Sequence, residues 1–184
     1  NKINYMRNSV KAIVDAYDGS VRLFRWDDQD PILRTWEKIY PGSVEPVSAI
    51  SGDLMSHLRY PEDMFKVQRN LLATYHVTDA AGFYSGGDRW RLAEETSTHG
   101  AASSSDSSTH VDASGNPLPA PTALQPPYYL TMQMPGQDSA EFSLTSVFVP
   151  GGGGEGRREA MAGFLAVDSE TGNTPGQVRE GYGK

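Results

Sequence analysis

A helix start is written into the middle of the chain at Pro61-Glu62-Asp63, and it limits what can lie on either side. Proline suits a first helical position, because its missing N–H would lack an intrahelical partner there and its φ is already helical. The carboxylates of Glu62 and Asp63 then meet the positive end of the helix dipole. Met64, Val67, Leu71 and Tyr75 recur at helical spacing, widened by Phe65 and Leu72. The pattern predicts a helix of about 13 residues with Lys66, Arg69 and Asn70 turned outward. Glu62 stands four residues before Lys66, the favourable order for an ion pair worth about 0.3–0.5 kcal/mol.

The flanking segments read as strands and short helices. Ser9 to Trp26 carries two β-rich runs around Asp18-Gly19, which predicts a hairpin with a type I′ turn. That loop would pair Tyr17 with Ser20, Asp15 with Arg22 as a cross-strand ion pair, and Ile13 with Phe24. One face carries Val10, Ala12, Val14, Val21 and Leu23, the other Ile13, Phe24 and Trp26 among charges, so both faces are expected to be at least partly covered. Asp30-Pro31 reads as an N-cap and first helical residue, with Ile32, Leu33, Trp36 and Ile39 on one face and Pro41-Gly42 as the stop. Ser51 is the expected cap of a short helix through Leu54, Met55 and Leu58. Val77-Thr78-Asp79 should start another turn of helix, broken by Ser85-Gly86-Gly87, and Trp90 to Leu92 should open a strand.

From about Thr96 to Pro127 the composition shifts to Ser, Thr, Ala, Gly and Pro, too poor in apolar surface to offset its ordering entropy, so a flexible insertion is expected. Tyr128 to Met134 and Phe142 to Val149 alternate as strands around Pro135-Gly136, a second hairpin. Gly151 to Gly156 reads as flexible. Met161 to Val167 is a mostly apolar strand expected at the centre of the sheet, and Gln177 onward as the start of another. The whole predicts one α+β domain over residues 1–184, a mainly antiparallel sheet of two hairpins plus a central strand, with three to four short helices.

The chain carries a formal charge of −7 without clustered Lys and Arg, which argues against a nucleic-acid partner. Without cysteine there is no disulfide, thiol catalysis or thiolate-bound zinc. No run approaches the roughly 20 apolar residues of a membrane span. The first residue, Asn1, and the last, Lys184, are read as the ends of a fragment cut from something larger.

Chemistry-bearing residues concentrate between Arg59 and Trp90. Arg59, Tyr60, Glu62, Asp63, Tyr84, Asp88 and Trp90 form the candidate binding surface. Glu62 and Asp63 read first as helix-end charges; the sharper alternative makes them, with Asp88, acid and base of a hydrolase or transferase. Adjacent helical positions point about 100° apart, which places that pair poorly to flank one bond. Asp27, Asp28 and Asp30 lack the glycine and bidentate glutamate of a calcium loop. His57 and His76 lack metal-ligand spacing, and Ser85 lacks a nucleophile elbow. No cofactor template falls on the chain, so a binding or interaction module is the leading reading, with a structural spacer as a third.

Several long strings carry a resemblance: INYMRNSVKAIVDAYDG (3–19), ISGDLMSHLRYPEDMFKVQRNLLATYHV (50–77), FYSGGDRW (83–90), PPYYLTMQMPGQ (126–137), FSLTSVFVP (142–150) and FLAVDS (164–169). In these the chain resembles the extracytoplasmic part of uncharacterised protein family (UPF) 0182, large multi-pass membrane proteins of actinobacteria. The resemblance implies membrane spans elsewhere in the intact protein and a position on the extracytoplasmic side of the cell membrane. The expected partner is a cell-envelope component or the protein's own membrane-spanning region. It brings no activity and no catalytic residues.

Overall fold

A computed structural model describes residues 5–95, 124–151 and 160–183. Most of the expected insertion at 96–127, and 152–159 of the glycine-rich segment, lie outside the described residues. The fold is α+β, with antiparallel sheets and a few helices, as the sequence predicts. Strands β1 (Val10–Val14), β2 (Val21–Arg25) and β3 (Glu45–Pro46) form one sheet in that order. A second sheet holds β4 (Trp90–Leu92), β5 (Tyr128–Met132), β6 (Glu141–Pro150) and β7 (Gly163–Asp168). The helices are α1 (Pro31–Ile39), α2 (Gly52–His57), α3 (Glu62–Tyr75) and α4 (Ala80–Ser85). Among the described residues, no helix is long and apolar enough to cross a membrane.

The chain divides into two compact units. The first comprises Asn1–Gln68, Tyr129–Thr145 and Ala166–Lys184; the second comprises Arg69–Tyr128 and Ser146–Leu165. The first has its core at Phe24, Ile50 and Met55, with Ile13, Trp26, Val47, Leu54 and Leu58 packed against them. Thr171 ties the C-terminal segment to this core, its hydroxyl donating to the carbonyls of Met55 and Leu58. The second unit packs Ala73, Leu92 and Phe148 with Leu72, Trp90 and Leu165. Gly163 lies where a Cβ would stand 2.6 Å from the Trp90 ring, so the indole occupies the space of a missing side chain.

The caps at Asp30 and Ser51 are those read from the sequence, and Asp79 caps the helix that Val77-Thr78-Asp79 starts. Asp30 accepts from Ile32 N–H at 2.9 Å, Ser51 from Leu54 N–H at 3.3 Å, and Asp79 from Gly82 N–H at 2.6 Å. Gly86 ends α4 at φ +66°, and Lys66 pairs with Glu62 at 2.7 Å.

Elsewhere the pattern misled. In the first hairpin Ile13 faces Arg22 and Val14 faces Val21, two residues away from the predicted register. Asx turns make the difference: Asp15 accepts from Tyr17 N–H and Asp18 from Ser20 N–H, and only Gly19 takes positive φ, so the loop is longer than type I′. A shift of two preserves the face of every side chain, but it cancels the Asp15–Arg22 ion pair. Arg22 instead grips Glu45 of β3 bidentately at 2.7 and 2.9 Å, a short parallel strand that its sequence does not announce. The valine face is not covered at the hairpin's tip, where Val14 is 62% and Val21 59% exposed.

Helix α3 is turned by one residue, roughly 100°, from the predicted stripe. Phe65, Arg69 and Ala73 are buried, while Leu71 and Tyr75 face out. Arg69 goes inward because its guanidinium donates to the Gln125 carbonyl at 2.9 Å and the Ser146 hydroxyl at 3.3 Å. In α1 only Leu33 is buried. The central strand is β6, paired with β4, β5 and β7, whereas β7 pairs with β6 alone. Residues 177–179 are irregular and 180–183 form turns, with Gly181 and Gly183 at positive φ, in place of a further strand.

Candidate functional site

In the first unit, α2 must stop before Pro61, since the residue preceding proline is pushed out of the helical region. Leu58 is extended at ψ 145°, and Arg59-Tyr60 becomes a non-helical bridge between two helices. The Arg59 guanidinium turns back to the Ser56 and Leu58 carbonyls and lies 5.3 Å over the Phe142 ring. Tyr129 stacks on Phe142 at 5.3 Å and 4°, and its hydroxyl donates to the Tyr60 carbonyl at 3.5 Å. Beside Arg59 opens a depression of about 320 Å³ lined by Ser56, Arg59, Glu170, Thr171, Gly172 and Asn173. Its lining mixes donors and acceptors and carries one charge of each sign.

The wall behind it is held by Arg179, which pairs with Glu141 at 2.7 Å, with Asp168, and with Glu170 at 3.5 Å. The Arg179 hydrogen bond, then that of Ser139, holds the Glu141 carboxyl below the usual carboxylate range. Asp168, Ser169 and Thr171 are all buried, so this polar loop is an internal part of the unit. Nothing local in the sequence says that Arg179 returns to it.

The Arg59 carbonyl is a junction. Lys11 donates to it at 3.4 Å while lying 4.9 Å over Trp26, and the Tyr182 hydroxyl reaches it at 3.4 Å. Tyr182 meets Trp26 edge-on at 6.0 Å and Tyr60 at 5.9 Å. Burial lowers the Lys11 ammonium to about 8 and raises the Tyr182 phenol. Between pH 8 and an ordinary lysine value of about 10.4, the unfolded chain therefore binds more protons at Lys11, and stability rises with pH. Above about pH 10 the folded chain keeps the Tyr182 proton that the unfolded chain loses, and stability falls. Urea midpoints across pH 7–11 should show both limbs. Lys11→Met should flatten the first and Tyr182→Phe the second; unaltered slopes in the variants would remove both assignments.

The second unit holds Tyr84, Asp88 and Trp90. The His76 ring stacks on Trp90 at 3.7 Å and 16°, its Nδ1 against the Leu72 carbonyl at 3.0 Å and its Nε2 3.8 Å from the Asp88 carboxylate. Trp90 meets Phe148 on the inner side at 5.4 Å. Tyr84 is 87% exposed and touches Phe83, which stacks on Tyr75.

The predicted surface residues are thus divided between the units. Arg59 and Tyr60 adjoin one aromatic cluster; Glu62 and Asp63 share Lys66, at 2.7 and 3.4 Å; Asp88 and Trp90 both reach His76, and Tyr84 stands apart from them. Tyr129, Phe142, Arg179 and Tyr182 had no sequence signal beyond being aromatic or charged.

The profile of the Uncharacterised protein family (UPF0182) matches residues 1–184. The chain belongs to that family. The UPF0182 protein CMS1887 of Clavibacter sepedonicus is 50% identical over 184 residues, all of this chain and 17% of the relative. UPF0182 protein TW644 of Tropheryma whipplei is 48% identical over 184 residues, 19% of its length, and UPF0182 protein BL1029 of Bifidobacterium longum 50% over 182 residues, 15% of its length. The chain thus spans less than a fifth of these relatives. No solved structure matches it.

Within this UPF0182 region, the carboxylates considered for catalysis lie open: the Glu62, Asp63 and Asp88 side chains are 47%, 83% and 75% exposed. Open solvent screens such charges. Among the described residues, no cluster of His, Asp and Glu is placed to hold a metal ion.

Proposed function

We propose that this region is a binding module on the extracytoplasmic side of the cell membrane, anchored by parts of the protein outside these 184 residues, and that it takes a hydroxyl-rich envelope glycan beside Arg59. The depression between Arg59 and the 170–173 loop carries this reading. The Ser56 hydroxyl, the Asn173 amide, the Glu170 carboxylate and the Arg59 guanidinium offer both donors and acceptors at no net charge, which suits a polyol better than a phosphate or a metal cation. The stacked Tyr129 and Phe142 rings add an apolar platform next to the guanidinium. The exposure of Glu62, Asp63 and Asp88 favours binding over hydrolysis.

Saturation-transfer NMR with soluble oligosaccharides released from an actinobacterial envelope tests it. Binding should weaken by roughly 3–10-fold in Asn173→Ala or Glu170→Gln, the loss of one hydrogen bond each. A flat response, or full binding by both variants, would overturn the assignment. Shortened oligosaccharides in the same tube would instead establish the hydrolase reading.

A further inference from the structure

Helix α1 leaves most of its apolar stripe uncovered, burying only Leu33. A surface helix ordinarily lays its apolar stripe on its own core. Here Ile32, Trp36, Ile39 and Tyr40, one stripe at helical spacing, are 49%, 53%, 56% and 56% exposed. Beside Leu33, polar bonds hold the helix in place. Glu37 pairs with Arg25 at 2.7 Å, Arg34 donates to the Asp28 carbonyl at 2.7 Å, and Asp30 caps the first turn while accepting from Tyr5 and Ser9. Trp36 and Tyr40 stack at 5.6 Å, which sets two amphipathic rings side by side facing out. Arg25 projects from the same sheet face as Val21 and, across the register, Val10, Ala12 and Val14, so α1 is tied to the face whose tip is also exposed.

We infer that α1 and the valine face of the first hairpin form a docking surface whose occupant is an apolar surface of the same polypeptide, outside these 184 residues. Two observations choose that occupant. The relatives continue far beyond the matched region, which is 15–19% of their lengths, so most of such a polypeptide remains to cover a face of this kind. The formal charge of −7 disfavours an anionic lipid surface, which recruits helices flanked by excess Lys and Arg. Uncovered apolar patches of several large residues mark interaction sites in soluble surfaces.

Photo-crosslinking in the full-length protein reads the occupant directly. With p-benzoylphenylalanine at Ile32 or Trp36, the expected adduct is intramolecular, joining α1 to a peptide beyond this region in a monomer-sized band. The same group at Lys38, away from the stripe, should give at least 5-fold less of that adduct. Lipid adducts, a dimer-sized band, a foreign protein, or equal yields at Lys38 would each overturn the inference. Glycan binding beside Arg59 is read by a different assay at different residues, so either conclusion can fail without the other.

Discussion

Phe148→Ala should destabilise the second unit by about 3–5 kcal/mol, the range for emptying a phenylalanine site in a core that cannot collapse around it. Phe148 is fully buried, and it supports one face of Trp90 while Gly163 and His76 confine the indole elsewhere. Removing the ring deletes contacts from Leu92 and Ala73 and leaves Trp90 with a void beside it. The indole should become solvent-accessible, so a red-shifted emission and a lower urea midpoint should appear together. Leu71→Ala is the informative control. The hydrophobic pattern places Leu71 in the buried stripe of α3, yet it is 53% exposed, and its truncation should stay within about 0.5 kcal/mol. A Phe148→Ala cost below about 1 kcal/mol, or a Leu71→Ala cost above 2, would contradict the orientation of α3 and β6.

Gly176→Ala should cost about 2–5 kcal/mol in the first unit, from two sources that add. Its φ is +65°, a left-handed position costing about 1–2 kcal/mol for any residue with a Cβ. The added methyl would also stand 2.5 Å from the Ser48 Cα and 3.0 Å from the Ser48 nitrogen, backbone atoms that cannot swing aside. Gly136→Ala isolates the first source: φ is +88°, with nothing within 4 Å of the new methyl. Thermal unfolding of both variants decides the matter. Equal losses would mean that the 173–176 turn does not rest against the Val47–Ala49 segment.

What the sequence made legible follows local chemistry. Asp30 and Ser51 announce helix starts because a short polar side chain satisfies free N–H groups wherever it occurs; both caps formed as expected, and Asp79 caps the helix started at Val77-Thr78-Asp79. The strands β5 and β6 are equally local, although their burial does not alternate as the sequence pattern suggests: Ser143 to Ser146 of β6 are all buried. What stayed hidden depends on residues far apart in the chain. Arg69 is read as outward until Ser146 and Gln125 arrive to receive it, and its burial turns the whole of α3. The Arg179 cluster joins positions 141, 168, 170 and 179, and no spacing rule links them. The hairpin slipped because two aspartates prefer to bond their own loop rather than a strand partner. Of the candidate site, Arg59 and Tyr60 were visible from the helix break at Pro61; the 170–173 wall beside them was not.

The first unit is assembled from three stretches, with the second unit's residues interleaved between them. During synthesis the ribosome therefore delivers the hairpin, α1 and α2 long before Thr171 and Tyr182 emerge to close over them. At roughly 5–20 residues per second, that leaves the early half waiting for several seconds with its core uncovered. The second unit, begun later and finished by residue 165, can close first. Chaperone demand on the nascent chain should then peak around the early hairpin, and a stop codon before Thr171 would release a chain that has every strand of its first sheet and no means of sealing it.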